Sequence, residues 1–352
     1  MRMLAKRRAA RHIHEVSVRA EDWIRPTPQG LYVAPGGFFI DPARPAPRAV
    51  LTHGHADHAR PGNGDVLATG ATLAILRARY GDAAGTRLQA AAYGETLRLG
   101  DVTLRLVPAG HVLGSAQIVL EHAGSRVVVS GDYKRRRDPT CPGFEPVRCD
   151  VFVTEATFGL PVFVHPDDGQ EIGRLLDSVR RNPERAHLVG VYALGKCQRV
   201  IRLLREAGWD RPIYLHAALA ALCAVYEAEG VGLGDLRPAS AAAATDLAGG
   251  IVLAPPGALA DRWSRRLPEP LAVAASGWMR IRQRARQRGV ELPLVISDHA
   301  DWPELLLSFA EVDAPEIWVT HGQEDALVHA ASLQGRRGRA LRLIGREADE
   351  ET

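Results

Sequence analysis

Paired cysteines are missing from this chain. Its four cysteines, Cys141, Cys149, Cys197 and Cys223, form no CxxC unit, so neither a zinc ribbon nor a disulfide framework is indicated. No apolar run approaches 18 residues, and no transmembrane helix is expected. The N-terminal stretch MRMLAKRRAARHIHEV lacks the apolar segment of a signal peptide. It reads as a basic tail, with an Arg-rich transit peptide as the alternative, and the cytoplasm is the expected location. One-sided charge is lacking too. The 44 Lys and Arg against 41 Asp and Glu leave +3 at pH 7, compatible with a polyanionic partner without demanding one. Internal repeats and long low-complexity segments are also absent. What remains is 352 residues, 46% hydrophobic and 24% charged, the balance of an ordinary globular protein of two or three domains.

Residues from about 20 to 160 read as short β-rich segments. LRLGDVTLRLVP alternates around Gly100 and Asp101 as a hairpin does, and one helix covers 71–80, ending at Gly81. From about 166, helix and strand alternate. DDGQEIGRLLDSVRRNP sets Ile172, Leu175, Leu176 and Val179 on one helical face and stops at Pro183. HLVGVYAL, PIYLH, GGIVLAPP and PLAVAASG read as strands, and KCQRVIRLLREAG and LAALCAVYEAEG as helices. Such alternation predicts a parallel sheet covered by helices. AAAAT at 241–245 reads as a small-residue loop. From about 293 come LPLVIS, the helix WPELLLSFAEV, the strand EIWVTHG, a helix near 324–334 and the strand ALRLIG. The β-rich part and this tail read as one domain, with the middle zone inserted.

The densest chemistry lies in LTHGHADHARPG, residues 51–62, where three histidines and an aspartate fall within six positions after a strand. His53 and His55 are two apart, so in extended chain their side chains share one side. Asp57 and His58 follow where the chain turns. Imidazole and carboxylate together suit zinc, manganese or iron, and ligands this crowded divide better between two ions than around one tetrahedral zinc. His111 in AGHVLGSA, Asp132 in VVVSGDY and His321 in WVTHGQ stand at other strand ends. Each alone reads as readily as a capping residue. Together they complete a set of seven converging on one sheet edge, in which Asp132 could bridge two ions. Two ions roughly 3.5–4 Å apart supply a deprotonated water and stabilise both oxygens of an in-line displacement. A phosphodiester fits that chemistry, and so does a strained ester or amide.

HGHADH, AGHVLGSA, SGDY and the preceding GGFFIDP resemble the motifs of the metallo-β-lactamase fold. TEATFG, ISDHAD and VTHGQ are similar to the acidic and histidine motifs of its β-CASP nucleases, and YALGKCQ and ASGWM to short motifs of their inserted domain. Within that group, GLYVAPGGFFIDP, THGHADHARPG and TEATFGLPVF resemble the bacterial ligase-associated DNA exonucleases, and the similarity runs from about 22 to 345. The resemblance implies an α/β fold: a metallo-β-lactamase αββα sandwich over 1–165 and 293–352, with a β-CASP-like α/β domain inserted over 166–292. That insert is shorter than in the eukaryotic cleavage enzymes. It implies two divalent ions, zinc or manganese, one held by His53, His55 and His111, the other by Asp57, His58 and His321, with Asp132 bridging. Asp41 would support the ligand histidines, although an Asp before Pro42 also reads as a turn residue. Glu155 and His299 would pair, His299 protonating the leaving oxygen and Glu155 holding its imidazole in place and cationic. Asp132, His299, Glu155 and Asp57 are thus the residues expected to carry the chemistry.

Arginines cluster in YKRRRD at 133–138, RWSRR at 262–266 and MRIRQRARQR at 279–288. Any one cluster reads as a solvated face. Beside a phosphate-cleaving centre, Lys134, Arg135, Arg136, Arg280 and Arg282 become expected nucleic-acid contacts, joined by Lys196. Lys196 sits in GVYALGKC, which nearly satisfies the phosphate-binding GxxxxGK[ST]. Cys197 offers no hydroxyl there and VYAL reads as apolar strand, so ATP binding is not expected. The expected function is an exonuclease of DNA repair, acting on single strands or DNA ends, with a DNA ligase or helicase as partner by resemblance and no membrane. An RNA-processing nuclease, a thioesterase or lactonase of the same fold, and a non-catalytic scaffold are the alternatives. The ester hydrolases need no ISDHAD histidine, and the full ligand set opposes a scaffold.

Overall fold

The computed structural model describes residues 18–343; the basic N-terminal stretch and the end of ALRLIG lie outside the described residues. A first sheet orders six strands as Ile24–Thr27, Gly30–Val33, Phe38–Ile40, Arg48–Val50, Asp65–Ala68 and Arg87–Ala90. Its first three strands pair antiparallel and the rest parallel. A second sheet orders seven strands as Arg337–Ala340, Glu316–Gly322, Val151–Ala156, Ser125–Val129, Ala116–His122, Val102–Pro108 and Thr96–Leu99. The expected hairpin around Gly100 is its outer edge. In Val102–Pro108, Val102, Leu104 and Leu106 are buried while Thr103 and Arg105 are half-buried, the period of two that turns one strand face inward.

The two sheets face each other through one apolar cluster. Ile24, Leu31, Val33, Phe38 and Ile40 come from the first sheet, and Leu104, Leu106, Ile118, Leu120, Val127 and Trp318 from the second. The outer face of the first sheet is covered by helix Gly70–Tyr80, through Leu73 and Leu76 against Ala49, Val66 and Ala68. Helices Trp302–Val312 and Glu324–Leu333 cover the second, with Leu305, Phe309 and Leu327 against Val128, Phe152, Ile317 and Val319. Each layer follows from a segment that is apolar on one side only.

The alternating zone forms a third sheet, parallel throughout, ordered Leu236–Pro238, Ile213–Leu215, Ile251–Ala254, His187–Gly190, Leu271–Ala275 and Leu292–Leu294. Helices Asp168–Arg181, Lys196–Glu206 and Ala217–Ala228 pack on one face. Ile75 and Leu113 join that same cluster, so this helical layer also rests on helix Gly70–Tyr80 and on the loop that carries His111. Three details differ from the sequence reading. AAAAT takes part in two short helical turns, Ala239–Ala241 and Ala244–Leu247, with only Ala242 and Ala243 between them. The last strand is Arg337–Ala340, which overlaps ALRLIG only at Ala340. The strand in HLVGVYAL stops at Gly190, because Val191–Leu194 leaves the sheet toward the histidines of residues 53–58.

Candidate metal centre

The histidine-rich loop follows strand Arg48–Val50, His111 follows Val102–Pro108, and Asp132 follows Ser125–Val129. All open on the same end of the two facing sheets. His321 is delivered differently. Glu155 pairs with Thr320 and Ala156 with Gly322, leaving His321 as the extra residue of a bulge, at φ 36°. A bulge re-aims the side chain it inserts. Gly322 is needed beside it: its φ is 80°, and a Cβ there would stand 2.2 Å from the Ala156 carbonyl oxygen.

These elements bring two groups of ligand atoms together, His53, His55, His111 and Asp132, and then His58, Asp132 and His321, each within 4.8 Å of one another. Asp132 belongs to both. Its Oδ2 lies 3.5 Å from His53 Nε2, 3.4 Å from His58 Nε2 and 3.8 Å from His111 Nε2, while Oδ1 is 3.0 Å from His321 Nε2. Asp57 Oδ2 is 3.2 Å from His58 Nε2. His55 Nδ1 faces His111 Nε2 at 2.9 Å.

The opposite nitrogen of four imidazoles is held by an acceptor. His58 Nδ1 lies 2.8 Å from Asp41 Oδ2, His111 Nδ1 2.8 Å from the Asp298 carbonyl, His53 Nδ1 3.0 Å from Thr52 Oγ1, and His55 Nε2 3.3 Å from the Leu194 carbonyl. Asp41 also accepts from Thr52 N at 2.7 Å and Thr52 Oγ1 at 2.6 Å. A neutral imidazole that donates through one nitrogen presents a lone pair at the other. His53 Nε2 and His58 Nε2 are buried and make no hydrogen bond among the described residues. Buried polar atoms left in this state are ones a cation would satisfy, so the donor set fits divalent ions.

The electrostatics agree. Burial drives His53 and His111 well below the ordinary imidazole range and His55 down to about 4, which keeps all three neutral near pH 7. Burial also works against the charged form of Asp132, but His58 and His321 outweigh it and hold the carboxyl well below its ordinary value. His58 is raised: burial opposes the shift, and the Asp132 and Asp57 carboxylates overcome it. A buried anion ringed by imidazoles is a cation-binding arrangement.

Beside this cluster His299 Nδ1 lies 2.9 and 3.1 Å from the two oxygens of Glu155, whose Oε1 also accepts from Tyr133 N at 2.8 Å. Glu155 is fully buried, whereas the His299 side chain is 16% exposed. The His299 and His111 rings are 4.7 Å apart.

The expected nucleic-acid contacts divide. Lys134 and Lys196 are buried, at 1% and 3% exposure, and reach no surface: Lys134 pairs with Asp138, and Lys196 Nζ with Asp298 Oδ2 at 3.0 Å. Arg135 binds Glu311 at 2.6 Å, and Arg136 binds Asp301 at 2.5 Å and Glu304 at 3.0 Å; both tie the loop after Asp132 to helix Trp302–Val312. Arg280 and Arg282 are exposed, near Trp278, over which Arg284 stacks at 4.0 Å. Sequence reasoning missed Thr52, Arg199 and the Leu194 and Asp298 carbonyls. Thr52, Leu194 and Asp298 stand inside the quoted motifs, which was the one available signal.

No family model matches the chain. Over 299 residues, 83% of its length, it is 29% identical to a protein named "Probable DNA ligase" of Opitutus terrae. It is 32% identical over 148 residues to the cleavage and polyadenylation specificity factor subunit 3 of Dictyostelium discoideum, 39% of this chain. It is 33% identical over 153 residues, 40% of this chain, to the endoribonuclease ysh1 of Schizosaccharomyces pombe. By sequence the chain is thus similar over most of its length to a protein named for DNA ligation, and over part of it to proteins named for RNA cleavage and polyadenylation. It spans 28% of the first relative's length and 19% and 20% of the other two. A solved structure of a protein of unknown function from Enterococcus faecalis V583 shares the fold, with TM-score 0.57 at 14% identity over 83% of this chain and 78% of that one. Among the described residues no helix is long and apolar enough to cross a membrane.

Proposed function

We propose that the chain is a metal-dependent nuclease that hydrolyses DNA phosphodiester bonds, as an exonuclease in repair. The observation that carries this reading is the His299–Glu155 pair set 4.7 Å, ring to ring, from a cluster of buried imidazoles around Asp132. Two divalent ions, zinc or manganese, would be held by His53, His55 and His111 on one side and by Asp57, His58 and His321 on the other, with Asp132 between. When bound, such ions supply a nucleophile at neutral pH and charge stabilisation for the reacting phosphate. The chain's own residues do the rest. Asp41, Thr52 and the Leu194 and Asp298 carbonyls hold the imidazoles in one tautomer. Glu155, fixed by Tyr133 N, orients His299 through Nδ1, leaving Nε2 to give a proton to the leaving oxygen. Arg280 and Arg282 are the surface cations retained for the phosphate backbone.

The same proposal reads the layered sheets as the metallo-β-lactamase αββα sandwich, residues 1–165 and 293–352, and the third sheet as the β-CASP-like insert, 166–292. It takes the cytoplasm as location and a DNA ligase or helicase as partner. DNA is preferred because the relative named for DNA ligase aligns over 83% of the chain, the named endoribonuclease over 40%. RNA processing is the second reading, favoured by that endoribonuclease.

The test incubates purified protein with 5′- or 3′-end-labelled single- and double-stranded DNA and RNA, with manganese or zinc. Cleavage of DNA from a labelled end is expected; cleavage of RNA alone transfers the assignment to the second reading, and no cleavage by fully metal-loaded protein sinks both. Asp132→Ala should lose metal and activity together. His299→Ala should keep its metal and slow turnover by about 10²–10⁴-fold, the usual range for a general acid; equal metal loss in both variants would refute the role given to His299.

A further inference from the structure

Two backbone carbonyls orient two of the buried histidines, and they come from distant parts of the chain. Leu194 O faces His55 Nε2 at 3.3 Å, and Asp298 O faces His111 Nδ1 at 2.8 Å. The residue two beyond Leu194 is Lys196, whose ammonium pairs with the Asp298 side chain at 3.0 Å. One turn further along the same helix, Arg199 donates to the Ser297 carbonyl, reaches Asp298 Oδ1 at 3.3 Å and Asp138 Oδ2 at 3.6 Å, and pairs with Asp168. Lys134 pairs with Asp138. Three cations and three carboxylates therefore neutralise one another inside the protein. Lys134, Lys196, Arg199, Asp138 and Asp298 are each under 8% exposed. Gly195 permits the approach: its φ is 84°, and a Cβ there would stand 2.4 Å from Val112 in the His111 loop.

We propose that the Lys196–Asp298–Arg199 cluster is a positioning device for the metal centre, clamping together the segments whose carbonyls set His55 and His111. The proposal rests on the reading of the centre as a divalent-metal site. A buried ion cluster is a poor source of net stability, because desolvation offsets its attraction; its value here lies in geometry. Each charge fixes a backbone segment within reach of an imidazole, and misplacing that acceptor frees the ring to rotate or change tautomer. Lys196 is the most informative member. As a positioning residue it acts through Asp298 and touches no phosphate, whereas the surface reading makes it a backbone contact.

The experiment compares wild type, Lys196→Met and Lys196→Arg in three measurements. These are manganese affinity by calorimetric titration, turnover of bis(p-nitrophenyl) phosphate, and kcat and KM on a labelled oligonucleotide at several salt concentrations. K196M is expected to weaken manganese binding about 10–100-fold, the usual effect of losing a partner of a ligating histidine. It should lower kcat on both substrates by one common factor, and leave oligonucleotide KM and its salt dependence unchanged. K196R should restore most of the affinity. Wild-type manganese affinity in K196M overturns the proposal, as does a loss confined to oligonucleotide KM with a shallower salt slope, the signature of a phosphate contact. If K196M does not fold, Lys196→Met with Asp298→Asn removes both charges without orphaning a carboxylate and carries the same expectations. Should the wild type bind manganese yet cleave neither substrate, the nuclease reading fails while the affinity arm still decides the clamp.

Discussion

At Asp41 the backbone sits at φ 41°, in the left-handed region that Asp and Asn tolerate better than other residues with a Cβ. From there one carboxylate accepts from Thr52 N, Thr52 Oγ1 and His58 Nδ1. Asp41→Asn keeps the conformation and withdraws the charge and one acceptor. It is expected to fold and to bind manganese roughly 10–100-fold more weakly; unchanged affinity in a calorimetric titration would remove Asp41 from this role. The convergence of His53, His55, His58, His111 and His321 on Asp132 was legible in the sequence, because their strand-end placement brings them to one sheet edge. The Leu194 and Asp298 carbonyls were not, since a backbone oxygen leaves no letter behind. Lys134 and Lys196 read as surface cations for a related reason. A lysine's letter carries its charge, while its buried partner is fixed only by folding.

Helix Trp302–Val312 begins at Asp301, whose Oδ1 accepts from Glu304 N at 3.2 Å while Oδ2 accepts from His165 N at 2.8 Å and Arg136 at 2.5 Å. One side chain thus caps a helix, pins the segment before helix Asp168–Arg181 and neutralises an arginine. Asp301→Ala removes the cap, worth about 1 kcal/mol, and leaves further donors unsatisfied, so a loss of about 2–3 kcal/mol is expected. Urea denaturation checks this, and a loss under about 0.5 kcal/mol, the usual range for an inconsequential surface change, would contradict it. At this scale periodicity did well. The helix read over 71–80 is Gly70–Tyr80, and the parallel character of the third sheet follows from its alternating elements. The bulge at His321 had no such signal, because it is a mismatch of register between strands more than 150 residues apart in sequence. In MRIRQRARQR the helix covers only Arg282–Gln287, so its alternate arginines spread around the axis and Arg284 turns onto Trp278.

Across the molecule, the buried imidazoles tie stability to pH. The ordinary imidazole value is 6.5, and burial lowers His53, His55 and His111 below it, His55 to about 4. Between those values the unfolded chain binds more protons than the folded one, so stability is complete above 6.5 and is lost as pH falls through the window. His55 alone accounts for about 3 kcal/mol. His58 runs the other way, raised by Asp132 and Asp57 against its burial, so its contribution is present below 6.5 and fades at higher pH. Burial also lowers His165, to about 3, and His187, so five lowered groups outnumber one raised group, and the Tm of metal-free protein is expected to fall between pH 6.5 and pH 4. A flat or rising Tm would contradict this balance. The sheets were largely legible as separate zones, but the contact of Ile75 and Leu113 with the third-sheet core was not, because apolar residues do not announce their partners. The chain order of the centre also has a consequence for biosynthesis. Five of the proposed ligands, His53, His55, Asp57, His58 and His111, and Asp132 precede the third sheet, while Asp298, His299 and His321 follow it. A nascent chain therefore carries a partial cluster while the third sheet is made, and His299 and His321 can join it only after that sheet has followed.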